Sequence, residues 1–362
     1  MFNPFRAIKQ QIAPSYLAVD IGTTSIKAVE VEQGKTVPRI TNYGTLESRS
    51  ALTRANAAFR TSNLKMFDQE IIDVLKMLFQ KMKPKTTEVV ASIPPFSVFT
   101  TILDFPEMNP QELQKSIAFQ AKQYVPLPLS EVAIDWLKVG EYQDENGFNH
   151  QQLLLISVPQ EQIKKYQRIF RGANLSLKSL EIEGLSLTRS LIAGDRTPTL
   201  IVDIGSRSTS VLVADSGQLK FSGQTDFAGA TLTQAIASSL SINPARAEEL
   251  KKERGIIGTG PNYELSTIVT PFLDVILGEI KKIQFNYSAQ FPTAAKLERV
   301  IMTGGGANLL GIEKYFENEL GLPTVKAAPF TRFEYPSLIE PMIPELNPVM
   351  SVALGLALKE FV

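Results

Sequence analysis

Cysteine is absent from the 362 residues of this chain. The chain therefore forms no disulfide bond and offers no thiolate nucleophile or cysteine-based metal site, a composition typical of a reducing compartment. Histidine is nearly absent as well, since His150 is the only one and lies in a polar stretch. A single imidazole in polar surroundings predicts a surface residue, which disfavours a histidine-based catalytic triad or zinc site.

Neither charge is in excess, because Lys and Arg together number 37 and Asp and Glu together also number 37. Without a basic surplus to neutralise phosphodiesters, nucleic acid is not an expected partner. The sequence also has no unbroken apolar run near the roughly 18–20 residues that span a bilayer, and its first residues lack the apolar centre of a signal peptide. We therefore expect a cytoplasmic protein.

The remaining composition is that of a globular protein, with 44% hydrophobic and 20% charged residues. A chain of 362 residues is long enough for two or more domains, each with its own core. Strands that meander as hairpins, followed by a helix and a further strand, are predicted once in each half. This internal duplication predicts two similar α/β halves.

Two stretches organise the chain, residues 19–34 and residues 202–217, which align without a gap. In each, an apolar run ends in an aspartate, Asp20 or Asp203, and a hydroxyl-rich glycine turn leads into a second β-rich run. Glycine lets the backbone approach a ligand, and successive N–H groups form a nest for anions. Two such hairpins would grip the phosphates of one nucleotide from opposite sides, the alternative being two ordinary turns that are similar by chance.

The candidate phosphate-binding residues lie in and next to the two turns. Lys27 follows the first turn and would offset phosphate charge, although side-chain alternation could equally point it away. Asp20 and Asp203 would hold Mg²⁺ through water. The full set is Asp20, Gly22, Thr23, Thr24 and Lys27 in the first copy and Asp203, Gly205 and Ser208 in the second.

A third glycine-rich segment follows the buried strand predicted over Arg299–Thr303 and precedes a helix predicted over residues 309–320. Ligands of open α/β folds bind at this edge of the sheet, and a glycine run lets a base or ribose lie against the backbone. The segment therefore predicts a platform for a nucleoside, with a flexible loop as the alternative. Its candidate residues are Gly304, Gly305, Gly306 and Asn308.

Two further candidates stay open on the residues alone. Glu248 and Lys251 are three apart on a helix predicted over Pro244–Arg254, and this spacing favours a solvent-exposed ion pair over a contact with ribose or adenine. Glu183 precedes the second hairpin at a strand end, where a carboxylate could orient a water molecule towards a terminal phosphate. Sequence alone does not decide that catalytic role.

Together these segments resemble the actin/Hsp70/sugar-kinase ATPase superfamily. Residues 17–27 are similar to its first phosphate motif, residues 202–210 to its second and residues 301–310 to its adenosine motif. Helices predicted over residues 184–193 and 349–358 resemble the two connecting helices between its halves. The resemblance implies an α/β, actin-like (ribonuclease H-like) two-lobed fold with ATP and Mg²⁺ in the cleft.

The same resemblance implies roles for single residues. Residues 248–251 match the Glu-x-x-Lys segment that contacts ribose and base in relatives, and Gly229 joins the nucleotide-binding set. Glu183 stands where relatives carry a Glu-Pro pair whose glutamate places the attacking water, but here Gly184 replaces the proline. Nucleotide binding is therefore expected more than efficient turnover. The alternative is an enzyme that hydrolyses ATP slowly.

Within the superfamily the chain is similar to the FtsA-like branch. An α+β subdomain is inserted after the strand that ends near Ile93, while the actin-type position, residues 49–65, holds only a short polar loop. Residues 16–27, 247–255 and 355–358 resemble the PilM family of type IV pilus assembly. An FtsA-like cell-division ATPase and a slow ATPase of the Hsp70 or sugar-kinase type are the alternatives.

The PilM resemblance implies a cytoplasmic, ATP-binding scaffold that is recruited to the inner membrane. Members capture the N-terminal cytoplasmic tail of the membrane protein PilN in a groove between the first lobe and the insert. They also link it to the pilus motor ATPases and the platform protein PilC. The apolar strands of the insert, residues 98–103 and 132–139, are the candidate contacts for the tail.

The domain boundaries follow from these assignments. An N-terminal arm, residues 1–15, carries apolar residues at helical spacing and would touch a membrane, a partner or the protein's own surface. The other predicted units are a first core lobe of residues 16–93 with 174–196, an inserted α+β subdomain of residues 94–173, a second core lobe of residues 197–242 with 276–346, a small helical subdomain of residues 243–275 and a closing helix of residues 347–362 that packs back on the first lobe.

Overall fold

The computed structural model describes residues 14–47, 67–256, 263–292 and 294–361. Nearly all of the predicted N-terminal arm and the whole polar loop of residues 49–65 lie outside the described residues. The strands are β1 (Ser15–Ile21), β2 (Ser25–Glu32), β3 (Arg39–Glu47), β4 (Glu88–Ile93), β5 (Phe99–Pro106), β6 (Val132–Gln143), β7 (Asn149–Pro159), β8 (Ser176–Ile182), β9 (Thr199–Ile204), β10 (Thr209–Asp215), β11 (Gln218–Thr225), β12 (Arg299–Thr303) and β13 (Thr324–Lys326).

The helices connect and cover these strands. They are α1 (Asp68–Met82), α2 (Pro110–Tyr124), α3 (Gln160–Gly172), α4 (Glu183–Leu191), α5 (Gly229–Leu240), α6 (Pro244–Arg254), α7 (Tyr263–Gln290), α8 (Ile312–Leu320) and α9 (Ile343–Leu358), and a short 3₁₀ turn occupies Gly305–Asn308.

Local chemistry explains where several helices begin. The Asn109 side chain caps α2, because it accepts hydrogen bonds from two backbone N–H groups of the first turn. Asp68 is the first residue of α1, where its negative charge interacts favourably with the positive end of the helix dipole. The predicted start of α8 was three residues too early, because Gly311 adopts a left-handed φ of 88° just before Ile312. The closing helix, predicted from residue 347, begins earlier, since α9 starts at Ile343 with a proline in its first turn.

Two five-stranded sheets repeat one topology, in agreement with the predicted duplication. The first sheet has the order β3-β2-β1-β4-β8 and the second has the order β11-β10-β9-β12-β13. In each, three strands form antiparallel hairpins and two further strands run parallel to the central one. We call the units built on these sheets the first and second lobe. The three-residue β13 was not predicted, because so short a strand carries no periodicity.

Residues 94–173, called the insert from here on, form a third sheet of order β5-β7-β6 together with α2 and α3. Alternation along β7 gives this sheet two apolar faces. Leu153 and Leu155 belong to a separate core under α2, whereas Leu154 and Ile156 join the large core of the two lobes. The insert is therefore built around its own core on one face and into the main core on the other.

Polar contacts also bind the insert to the second lobe, which the sequence did not predict. The buried ammonium group of Lys220 in β11 donates to the backbone oxygen of Val139 in β6. The Gln152 side chain of β7 donates to the backbone oxygen of Gln290, at the end of α7, over 2.8 Å. Although it interrupts the first half of the sequence, the insert bridges both lobes.

The helices α4 and α9 cross between the lobes. A Cβ at Gly355 would lie 1.9 Å from the backbone oxygen of Ser186, so only glycine permits this close approach. Arg189 of α4 donates to the Gly355 oxygen over 2.7 Å and also to Glu181. The helical stretch Ser337–Phe361 is long and apolar enough to cross a membrane, but 61% of its apolar window is buried inside the protein. Its composition is accounted for by this buried position.

Candidate functional site

The two glycine turns have the same local structure. In the first, the N–H of Gly22 donates to the oxygen of Ser25 over 2.9 Å, and in the second the N–H of Gly205 donates to the oxygen of Ser208 over 3.0 Å. A Cβ at either glycine would press on the same carbonyl, at 3.0 Å and 2.9 Å respectively. Both glycines therefore lie in tight turns that leave little room for a side chain.

Hydroxyl groups on both turns are open to a ligand. Thr23, Thr24 and Ser208 are half-buried, and their hydroxyls make no hydrogen bond to any residue that the structure describes. Three unused donors on two turns of this shape are suited to phosphate oxygens.

Asp20 anchors the first turn. It pairs across the strands with Lys27, whose ammonium group lies 3.0 Å from the Asp20 carboxylate, and Ser92 donates to the other carboxylate oxygen over 2.8 Å. The register of β1 and β2 thus turns Lys27 into the site, which settles the alternative that it points away. Burial opposes the charge of Lys27, but Asp20, Asp203 and Glu183 outweigh this effect and raise its pKa.

Asp203 and Glu183 bring a surplus of negative charge to the same place. Neither carboxylate makes a hydrogen bond or ion pair with a described residue, and both are half-buried. Burial raises the pKa of Asp203 to about 6 although Lys27 opposes the shift, and the charge of Asp20 adds to the rise. Burial, Asp20 and Asp203 raise the pKa of Glu183 well above its usual value. Three carboxylates around one ammonium group suit an additional cation.

The donors fit a hydrated Mg²⁺ better than a directly caged metal. Within residues 14–47, 67–256, 263–292 and 294–361, no three acidic or histidine side chains are arranged to hold a metal ion directly. Asp20 and Asp203 nevertheless act on one another electrostatically across the site. Carboxylate oxygens that reach a cation through its water shell are a common way of binding Mg²⁺.

The third glycine segment packs against the second turn. Gly304 has a φ of +79°, and a Cβ there would lie 2.3 Å from a carboxylate oxygen of Asp203. A Cβ at Gly306 would lie 2.2 Å from the Ile204 side chain, whereas a Cβ at Gly305 would meet no atom within 4 Å. Gly304 and Gly306 thus seat the loop on β9, and exposed Gly305 presents bare backbone to the open side.

The parallel pairing of β12 with β9 brings this segment to the site. Thr303 pairs with Asp203, so the glycine run begins at the carboxyl end of both strands. Gly304 N–H donates to the backbone oxygen of Pro348 over 2.9 Å, which fixes the loop to α9. The Asn308 amide, predicted to bind the nucleotide, donates to the backbone oxygen of Glu345 over 3.0 Å.

The spacing of Glu248 and Lys251 favoured a solvent-exposed ion pair, and that prediction is wrong. The two side chains do pair, but both point inward. The Lys251 ammonium group lies 2.6 Å from the Glu248 carboxylate, 2.8 Å from the Thr233 hydroxyl and 3.0 Å from the Gly229 oxygen. Gly229 in turn donates its N–H to the oxygen of Gly205 over 3.1 Å. Burial lowers the pKa of Lys251. This network holds α5 and α6 against the second turn.

Two residues of the site were missed from the sequence. Ser92 interrupts the apolar run of β4, and a polar residue inside a buried strand was a usable signal. Thr233 lies one helical turn after Gly229, but nothing in the sequence indicated that α6 would face it.

A groove opens beside the first turn, between the first lobe and the insert. Gly22 and Thr23 form one part of its lining. The insert strands predicted to receive a partner do not line it. The other lining residues that matter here are Ile71 of α1, Pro94 and Phe96 after β4, and Lys165, Tyr166 and Ile169 of α3.

Comparison with known proteins assigns most of the chain to one family. Residues 18–361 match the model of the family described as type IV pilus assembly protein PilM. The match includes both glycine turns, the insert and the crossing helices.

Solved structures are similar over almost the whole chain. The structure titled "PilM-PilN type IV pilus biogenesis complex" has a TM-score of 0.78 and 21% identity, covering 95% of this chain and 98% of that one. MreB5 of Spiroplasma citri bound to AMPPNP has a TM-score of 0.56 and 14% identity, covering 96% of each chain. EutJ of Carboxydothermus hydrogenoformans has a TM-score of 0.54 and 17% identity, covering 96% of this chain and 91% of that one. The fold is therefore the actin-like α/β fold with two duplicated lobes.

Proposed function

The chain belongs to the family of type IV pilus assembly protein PilM, and from this premise we propose that it is an ATP-binding scaffold of the pilus assembly machinery. It works in the cytoplasm and is recruited to the inner membrane by the N-terminal cytoplasmic tail of PilN. The pilus motor ATPases and the platform protein PilC are its further partners. What supports this proposal most is the placing of the two glycine turns around Asp20, Lys27 and Asp203, with a groove directly beside the first turn.

The nucleotide is held by backbone and side-chain donors of both lobes. N–H groups of the two turns, with the hydroxyls of Thr23, Thr24 and Ser208, donate to phosphate oxygens. Lys27 offsets phosphate charge. The bare backbone at Gly305 gives the nucleoside a surface to lie on.

A Mg²⁺ ion, when bound, would neutralise charge on the phosphates and on the protein. Asp20 and Asp203 would hold it through water. In the free protein, burial and the charges of Asp20 and Asp203 raise the pKa of Glu183. Glu183 is the residue that would orient an attacking water, and because Gly184 stands where relatives carry a proline, ATP binding is expected more than efficient hydrolysis.

The PilN tail docks in the groove beside the first turn. Ile71, Pro94, Phe96 and Ile169 give the groove apolar walls, which suit an extended apolar segment. Asp68 bonds to Lys165 over 3.1 Å at its rim, so a charged pair borders the apolar floor.

A binding experiment tests this proposal. A synthetic peptide with the sequence of the cytoplasmic N-terminal segment of the cognate PilN is titrated with the full chain by fluorescence anisotropy. We expect saturable binding that Phe96→Ala weakens at least about tenfold, a loss of about 1.4 kcal/mol. Phe148→Ala is the matched control, because Phe148 is 66% exposed and lies in the turn between β6 and β7 of the insert. Absence of binding, or equal losses in both variants, would contradict the docking site.

A further inference from the structure

Positive charge is concentrated on the outer side of α3, the helix of the insert that borders the groove. Lys164, Arg168 and Arg171 follow one another at spacings of four and three residues, so they share one side of the helix, called the cationic face from here on. All three residues are exposed. The helix carries four cations and one acid, Glu161, whereas cations and acids balance over the whole chain. The cationic face is therefore a local excess of charge on a neutral protein.

Little negative charge on the protein offsets this excess. One carboxylate, that of Asp68 in α1, lies 3.1 Å from the ammonium group of Lys165 and 3.8 Å from the guanidinium group of Arg168. Lys164 and Arg171 make no ion pair with any residue in the part of the chain that the structure describes. These two charges are thus available to an anion outside the protein.

The cationic face reaches the rim of the groove, where an aromatic side chain is also exposed. Lys165 lines the groove and holds Asp68 at its rim. Phe67, the residue before Asp68, is 66% exposed, and its backbone oxygen accepts a hydrogen bond over 3.0 Å from Ile71, which lines the groove. Exposed aromatic rings beside lysine and arginine are typical of protein surfaces that lie against a membrane.

The proposed occupant of the groove determines what lies outside it. The PilN tail would come from a protein embedded in the inner membrane, so the end of the tail that leaves the groove is attached to the bilayer. A tail seated in the groove therefore holds the cationic face within the reach of that tail from the cytoplasmic leaflet. Anionic headgroups give such a leaflet a negative surface potential, to which the charge of this face is complementary.

We propose that the cationic face of α3, with Phe67 at its edge, binds the anionic headgroups of the membrane while the PilN tail occupies the groove. This inference rests on the proposed function and adds a second, electrostatic contact to the one through the tail. The second contact forms after the first has already brought the protein to the surface, so the two reinforce each other. Each lysine or arginine close to an anionic bilayer strengthens binding about fivefold.

The experiment compares vesicles that differ only in lipid charge. The cognate PilN tail peptide is tethered to vesicles of phosphatidylcholine, with or without phosphatidylglycerol, and binding of the full chain is measured by flotation. We expect phosphatidylglycerol to tighten binding at least about tenfold at low salt, and high salt to remove most of this gain.

Two double variants with the same change of net charge show where the lipid binds. Lys164→Glu together with Arg171→Glu should abolish the gain but retain binding to the neutral vesicles, because the Lys165 pair with Asp68 at the groove is left intact. The matched control is Lys281→Glu together with Lys314→Glu, at exposed positions of α7 and α8 in the second lobe, and it should keep the full gain.

The possible results separate this inference from the function on which it rests. Equal binding to neutral and anionic vesicles overturns the inference and leaves tail docking standing. A gain that persists in the α3 variant overturns the role of the cationic face. If that variant also loses affinity for the free peptide in solution, the face binds the tail itself and the lipid contact is overturned. Absence of free-peptide binding to the unaltered chain overturns the proposed function, whereas phosphatidylglycerol vesicles without peptide still test the cationic face, since the unaltered chain should bind them and the α3 variant should not.

Discussion

The three consecutive glycines after β12 allow a test in which stability and binding change separately. A Cβ at Gly305 would meet no atom within 4 Å, so Gly305→Val should change the free energy of unfolding by only about 0.5 kcal/mol. At Gly304 the backbone has a φ of +79° and a Cβ would lie 2.3 Å from an Asp203 oxygen. At Gly306 a Cβ would lie 2.2 Å from Ile204. Strain and overpacking at these two positions should each cost about 1–3 kcal/mol.

For nucleotide affinity we expect a large effect at Gly305, the position where the effect on stability is smallest. The isopropyl group of Gly305→Val would project into the space that a nucleoside needs, so binding of a fluorescent ATP analogue should weaken at least about tenfold, or about 1.4 kcal/mol. Gly278→Ala is the matched control, because a Cβ there also meets no atom within 4 Å and the residue lies on α7. It should leave the affinity unchanged.

The assay combines urea unfolding with titration of the nucleotide on the same preparations. Wild-type affinity in Gly305→Val would show that the nucleoside does not lie over this loop. Wild-type stability in Gly304→Ala and Gly306→Ala would show that the close contacts with β9 relax without cost, and the steric reasoning would fail.

Four further predictions concern charge. The raised pKa of Asp203, about 6 against a usual 3.8, means that stability of the nucleotide-free protein falls as pH rises between these values. Asp203→Asn should therefore stabilise it at pH 8 by about 1–2 kcal/mol after allowance for partial exposure, and not at pH 3, while weakening Mg²⁺-nucleotide binding. The pKa of Asp195 is lowered to about 2, which predicts the opposite pH dependence. Asp195→Asn should lower the free energy of unfolding at pH 8, and this loss should vanish near pH 2. Urea unfolding at several pH values compares the two variants. Lys251→Met leaves the Glu248 carboxylate without its cation and should lower the free energy of unfolding by about 1–3 kcal/mol in the same assay. An unchanged value would show that this network does not stabilise the fold. The hydrogen bond that His150 donates to the Asp104 carboxylate raises the pKa of His150. The stabilising contribution of this pair is therefore present below about pH 6.5 and lost above the raised value. His150→Gln should melt earlier than wild type at pH 5.5 and equally at pH 9, and equal melting at both would refute it.

Much of this architecture was predictable because it rests on local signals. The match of residues 19–34 with residues 202–217 carries the duplication of the two lobes, and it required only that similar turns form similar hairpins. Asn109 followed by a proline defines the start of α2, because the cap is completed within four residues.

The site was less predictable, since its side chains meet through long-range packing. Whether Lys27 faces Asp20 depends on the register of two strands, and the Ser92 bond depends on a third strand 72 residues away. Glu248 and Lys251 have the spacing of a surface pair, and only the docking of α6 on α5 buries them. The bond of Lys220 to the insert likewise joins positions 81 residues apart.

The sheet of the insert packs into a different core on each face, and this determines whether the insert can be removed from the protein. Excision of residues 94–173, with the ends rejoined, would leave Lys220 without its acceptor and uncover the apolar surface that Leu154 and Ile156 now shield. The insert is thus not a detachable accessory on a self-sufficient pair of lobes. Removing the insert would therefore call for compensating substitutions on the second lobe, and grafting it onto another actin-like chain would call for a matching surface there.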